Sequence, residues 1–170
     1  MGNESIKRAL EGAVGYLTAN PHEARYRDGH ARATLRDGLV VDVTGAAGEV
    51  LVTDMTTSVG GTASAPSPGW LFRAAIASCV TTLIAMRAAS QEVAIESLEV
   101  TVDSESDDRG ILGIDASVPA GPLSVRVSVA VHASGVDGDL LREIARWGVE
   151  HCPVVDAVGR QVPVETLIEV

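Results

Sequence analysis

Aromatic side chains are almost missing from this sequence. Its 170 residues include two Trp, two Tyr and one Phe, although 46% of them are hydrophobic. Any core must therefore be built from Val, Leu, Ile and Ala. That much apolar content excludes a disordered chain, and the length suits one domain or one protomer of an intertwined oligomer. Basic residues are scarce too: 13 Lys and Arg stand against 23 Asp and Glu, a formal net charge of -10. Neither nucleic acid nor an anionic membrane surface is an expected partner, because both need basic patches. The N-terminus has no basic segment leading into an apolar run, so secretion is not expected. It also carries Ile6 where a myristoylation signal needs Ser or Thr. The longest apolar stretch runs from Trp70 to Met86, but Arg73 and Arg87 bound it. Between them it is too short for a membrane span of about 20 residues. A cytoplasmic location follows, and there thiols are normally kept reduced.

Cysteine is the other scarcity, with only Cys79 and Cys152. There is no Cys-x-x-Cys and no His pair at ligand spacing, so neither a metal nor another cofactor is expected. Nucleotide loops and nucleophile-elbow motifs are missing as well. Gly60-Gly61 reads as a turn, because no Lys follows it at the phosphate-loop spacing. If the two thiols meet in space they suggest redox chemistry, and if they do not they are ordinary buried cysteines.

What is present reads as an α+β order of elements. Ile6, Leu10, Val14 and Leu17 recur at helical spacing and predict an N-terminal helix ending at Asn20-Pro21. A polar linker to His30 completes an N-terminal segment, residues 1–30, ahead of a domain at 31–170. Ala31–Thr44 predicts strand, broken into a hairpin at Arg36-Asp37-Gly38. A further strand is expected over Glu49–Asp54, followed by a Gly- and Pro-containing loop to Pro68. Pro68 or Gly69 opens a long helix to about Ala89, capped by Ser67 and apolar nearly all round, hence expected to be buried on most sides. Ile95–Ser104 and Leu123–His132 alternate as half-buried strands. Asp137 or Asp139 caps a second helix, with Leu140, Ile144, Trp147 and His151 on one face. The acidic cluster Asp103, Glu105, Asp107 and Asp108 reads as a solvated loop without cation-loop spacing. Val162–Val170 predicts a final strand.

A reactive cysteine must be a thiolate held by nearby positive charge. On its own helix Cys79 has only Arg73 and Arg87, both placed off to the side. A cation from Arg25, Arg27, Arg32 or Arg36 is the alternative. Pro153 suits the first position of a helical turn with Cys152 as its N-cap, where backbone N–H groups and the helix dipole lower a thiol pKa. His151, adjacent on the helix, points about 100° away from Cys152 and reads as a structural or surface residue.

Gly60-Gly61, Ser67-Pro68, Leu71-Phe72, Ala77-Ser78-Cys79 and Cys152-Pro153-Val154 together resemble the OsmC/Ohr superfamily of thiol-dependent peroxidases. The resemblance covers about 31–170. It implies an intertwined α+β homodimer with a long buried cysteine-bearing helix and antiparallel strands. It also implies that Cys79 attacks an organic hydroperoxide and becomes a sulfenic acid. Cys152 would then close a disulfide with it, and a dithiol reductant would restore both. An arginine, matched best by Arg36, would hold the thiolate. The family's Glu after the helix-opening Pro is replaced here by Gly69, followed by Trp70. Arg36 would then need another acid, such as Asp37 or Asp54. The resemblance leaves two readings open: a hydrophobic-hydroperoxide reductase, or a non-catalytic dimer of the same fold acting as redox sensor or small-molecule binder.

Overall fold

A computed structural model describes residues 2–170. The chain separates into two compact units, one of residues 11–74 and one of residues 2–10 with 75–170.

The first unit is built on a three-stranded antiparallel sheet. Strands β1 (Ala31–Asp37), β2 (Val40–Gly45) and β3 (Val50–Thr53) pair in chain order. The hairpin forms at the expected triplet, with Gly38 at φ +55°. A register shift between Leu35 and Asp37 leaves Arg36 as the extra residue of a bulge. Every residue of β1 is exposed, including Leu35 at 65%.

Beyond β3 the loop is organised by Asp54, whose side chain is buried although it lies outside regular structure. Its Oδ1 accepts from the Met55 amide at 2.7 Å. Oδ2 accepts from the amides of Thr62 and Ser64 at 3.1 and 3.0 Å, and from their hydroxyls at 2.6 and 2.9 Å. This set of donors holds the carboxyl far below the usual carboxylate range. Asp54 thus staples loop residues 55–64. The Gly60-Gly61 pair has two separate reasons. Gly60 is left-handed at φ +91°, and a Cβ at Gly61 would run into the backbone of Met55.

Helix α1 (Asn3–Ala19) and helix α2 (Pro68–Ser90) each run through the boundary between units. α1 ends before Pro21 as its sequence predicts. Its first turns belong with the second unit, where Asn3 Nδ2 donates to the Val93 carbonyl at 2.8 Å and Lys7 pairs with Glu92.

In the second unit, β4 (Ser97–Glu105) and β5 (Ser124–His132) form an antiparallel pair in perfect alternation. Leu98, Val100 and Val102 face Val131, Val129 and Val127 on the inner side. A short helix α3 (Asp108–Ile111) sits where the sequence reads as plain loop, and Asp107 caps it through the Arg109 amide at 3.0 Å. Helix α4 (Gly138–Glu150) is capped by Asp137, and α5 (Pro153–Gly159) follows with Cys152 as N-cap.

Three sequence expectations change. α2 is buried within the chain only along Ile76, Val80, Ile84, Ala88 and Ala89, not on most sides. The buried stripe of α4 is Leu141, Ile144 and Gly148 rather than the Leu140–Trp147–His151 face. Residues 162–170 form no strand and are exposed, with Val164, Leu167 and Ile168 all above 80%. Among the described residues no strand pairs with this segment, and a strand needs such a neighbour for its backbone groups.

Candidate active site

Cys79 lies in mid-α2 and Cys152 at the junction of α4 and α5. Seventy-three positions apart in the chain, the two thiols come within hydrogen-bonding reach of each other. Both are free thiols; Cys79 is half-buried and Cys152 is fully buried.

The surroundings of Cys79 act in two directions. Burial pushes its thiol up from the ordinary value, and the hydrogen bond and charge coupling to Cys152 push the same way. The backbone N–H of Val154, in the first turn of α5, donates to Cys79 and opposes them. Burial prevails, so at neutral pH the thiol form dominates. The first turn of α5 is therefore important for a reason other than the one its sequence suggests. Cys152 makes no side-chain capping bond there. Instead, the amide two residues on serves the other sulfur. Proline at the first helical position is the only trace of this in the sequence, since it fixes the turn that aims the Val154 amide.

His151 is turned to another task. Its ring stacks on Trp147 with centroids 4.1 Å apart at 14°, and its Nδ1 lies 2.9 Å from the Trp147 carbonyl. Arg87 from α2 covers the Trp147 ring at 5.2 Å and pairs with Glu143 at 3.2 Å. These contacts tie the end of α4 to α2 beside Cys152.

Arg36 belongs to the other unit. Its guanidinium grips Asp42 across the hairpin, Nε donating to Oδ2 at 2.9 Å and Nη2 to Oδ1. This pairing raises the Arg36 pKa and holds Asp42 below its ordinary value. The anchor is thus Asp42, not Asp37 or Asp54. Asp54 is fully engaged by its loop.

Gly69 leaves open space at the start of α2. A Cβ there would meet only Ser67 Oγ at 3.9 Å and Arg73 Nη1 at 4.0 Å. Beside it, a cleft of about 380 Å³ is lined by Met55, Thr56, Ala63, Pro66, Trp70 and Arg73, with Trp70 half exposed. Among the described residues, no group of three or more His, Cys, Asp or Glu is placed to hold a metal.

The profile of OsmC-like protein matches residues 61–167, well over half of the chain. The chain belongs to the OsmC-like protein family. Against the expectation that its apolar run is too short, α2 is long and apolar enough to cross a membrane by length and composition, a property that core helices of soluble proteins share. No curated protein sequence matches this one.

Solved structures agree on the fold. An OsmC-like protein from Mycoplasma pneumoniae superposes with a TM-score of 0.67 at 12% identity, covering 79% of this chain and 89% of that one. The organic hydroperoxide resistance protein OsmC of Legionella pneumophila gives 0.55 at 22% identity, covering 79% and 90%. A Vibrio cholerae protein assigned to organic hydroperoxide resistance gives 0.56 at 22%, covering 79% and 86%, and holds captopril in one of its active sites. The α+β architecture, with antiparallel sheets and one long helix, is common ground with these relatives.

Proposed function

We propose that the protein is a thiol-dependent peroxidase that reduces organic hydroperoxides. The observation that carries this reading is the contact between Cys79 and Cys152, two remote thiols in a chain that has no others. Cys79, half-exposed and served by the Val154 N–H, attacks the terminal oxygen of the hydroperoxide. The O–O bond breaks, and the departing alkoxide takes up a proton to leave as an alcohol. Cys79 becomes a sulfenic acid, its sulfur oxidised by two electrons. Cys152 then attacks that sulfur, and the S–O bond breaks with loss of water. A disulfide forms, which a dithiol reductant returns to two thiols by exchange. Arg36, held by Asp42, is the cation assigned to the thiolate. The apolar cleft beside Trp70 suits a hydrophobic substrate over hydrogen peroxide. The working form is a homodimer, supported by the exposed strand β1 and the exposed apolar C-terminal segment. Its place is the cytoplasm.

A second reading has observations of its own. Gly69 stands where the family peroxidases carry Glu, and burial raises the Cys79 thiol. Both favour slow chemistry, such as that of a redox sensor. One experiment decides between them: consumption of an alkyl hydroperoxide and of hydrogen peroxide under dithiol, with mass spectrometry of the thiols. Turnover with preference for the alkyl hydroperoxide, and one intramolecular disulfide per chain, is the expected result. Disulfide formation without turnover would favour the sensor. Two free thiols after peroxide would remove both.

A further inference from the structure

α4 crosses α2 with glycine at the point of contact. Gly148 is fully enclosed on the buried stripe of α4. A Cβ built on it would overlap the Ile84 side chain, and would lie 2.9 Å from the Ile84 backbone nitrogen and 3.1 Å from its Cα. Two of those neighbours are backbone atoms, so a side-chain rotation cannot make room. Glycine is the poorest helix former after proline, and this one occupies the last full turn of a helix. What it provides is close approach of two helix backbones.

That approach lies next to the thiols. Cys152 follows Gly148 by four residues and lies just beyond the end of α4, as the N-cap of α5. Cys79 precedes Ile84 by five. The cross-helix contacts run in opposite senses along the two segments: Arg87 meets Glu143 and Trp147, Ile84 meets Gly148, and Cys79 meets Cys152. The Gly148–Ile84 contact is thus the last fixed point before the sulfurs. A disulfide tolerates little error, since Cα atoms more than about 7 Å apart cannot be bridged without backbone movement.

We propose that Gly148 is the positioning residue for disulfide closure. By letting α4 seat directly on the α2 backbone, it sets the separation between Cys79 and Cys152. The role rests on the peroxidase reading for its biological use, but closure itself can be measured apart from peroxide chemistry. Gly148 touches neither sulfur in this role; it acts through the helix that delivers Cys152. A glycine that served packing alone would affect stability without separating the two oxidation steps.

The test uses the full chain with Gly148→Ala, with Gly138→Ala at the open end of the same helix as control. A Cβ at Gly138 meets only the Arg142 side chain, at 3.5 Å. Peroxide and diamide are used in parallel as oxidants. Diamide joins neighbouring thiols with no need of peroxidatic attack, so it isolates closure. The expected result for Gly148→Ala is Cys79 oxidation by peroxide within about twofold of the natural rate, because its own surroundings are left in place. Closure should be slowed at least about tenfold with either oxidant, since a small misplacement sacrifices most of the effective concentration of an oriented pair. A dimedone-trapped sulfenic acid at Cys79 should accumulate. Gly138→Ala should close at the natural rate. If Gly148→Ala fails to fold, Gly148→Ala with Ile84→Ala removes the nearest overlap and should show an intermediate closure rate. Unchanged closure in a folded Gly148 variant would overturn the proposal, as would equal slowing of both steps. If the natural protein closes with diamide but not with peroxide, the peroxidase reading fails while the diamide arm still decides the role of Gly148. If it closes with neither, both fall.

Discussion

Two sulfurs in contact do not share a proton equally, and the chemistry of this protein turns on that at the scale of single residues. Cys79 is raised first by burial, then by its hydrogen bond and charge coupling to Cys152. A raised thiol reacts faster as pH increases, because the thiolate is the nucleophile. Oxidation of Cys79 should climb about tenfold per pH unit from pH 7 to 9, without a plateau. Stopped-flow rates with an alkyl hydroperoxide would show this, and a plateau below pH 7 would contradict it. Cys152→Ala removes both of the raising effects that come from Cys152. Burial, the largest cause, remains, so the Cys79 thiol of the variant should still lie above its ordinary value. Its sulfenic acid, with no resolving thiol, should go on to sulfinic acid. Mass spectrometry after graded peroxide distinguishes these products. Gly69→Glu is a third residue-scale case. The new carboxylate would lie four residues before Arg73, the favourable orientation for an ion pair, and in the first turn of α2 near the positive end of the dipole. It should stabilise the fold by about 0.5 kcal/mol. It should leave Cys79 oxidation nearly unchanged, because Arg36 is already paired with Asp42. A large acceleration would show that the missing family Glu acts directly on the thiol.

At the scale of elements, the loop after β3 is the part most dependent on one side chain. Asp54 is buried and accepts five hydrogen bonds from Met55, Thr62 and Ser64. Its folded pKa is depressed, so its contribution is complete above the unfolded value of about 3.9. That contribution is lost as pH falls through the folded value, below the ordinary carboxylate range. Asp54→Ala should leave the Thr62 and Ser64 amides exchanging with solvent much faster at neutral pH, which hydrogen exchange reads directly. Unchanged protection of both amides would contradict the staple. Elements with strong local patterns were legible in the sequence. β4 and β5 alternate cleanly, α1 ends at a proline, and Pro68 and Pro153 open helices where their fixed φ suits the first turn. The buried side of α4 was not legible, because its key position is a glycine, which carries no apolar signal. The Arg36–Asp42 pair was not legible either, since it depends on a bulge that alternation alone does not locate. The two cysteines were visible as candidates, but their contact is a tertiary fact. The Val154 donor is a backbone group with no signature in its own residue type.

The largest unsatisfied surface belongs to the scale of the whole molecule. Strand β1 is exposed along its length, and Val164, Leu167 and Ile168 lie in an extended segment with no strand neighbour among the described residues. Alternating apolar residues in such a segment, and a free sheet edge, are unstable in water unless something pairs with them. A second copy of the chain can supply both needs at once, since each copy offers an edge and a strand. Burying one large aliphatic side chain is worth about 1.5–3 kcal/mol, part of which is offset by the cost of association. The natural protein should therefore sediment at micromolar concentration as a species of twice 17.6 kDa. Val164→Asp with Ile168→Asp would place two charges on the one face where an apolar strand must pack. The double variant should dissociate at least about 100-fold more readily, a shift of about 2.7 kcal/mol. Light scattering across a dilution series measures it. The variant should also lose stability cooperatively with dissociation, because residues 162–170 have no other place to bury. A natural chain that stays monomeric and folded through the micromolar range would show that this segment is simply solvated, and the paired-strand explanation of its apolar pattern would be wrong.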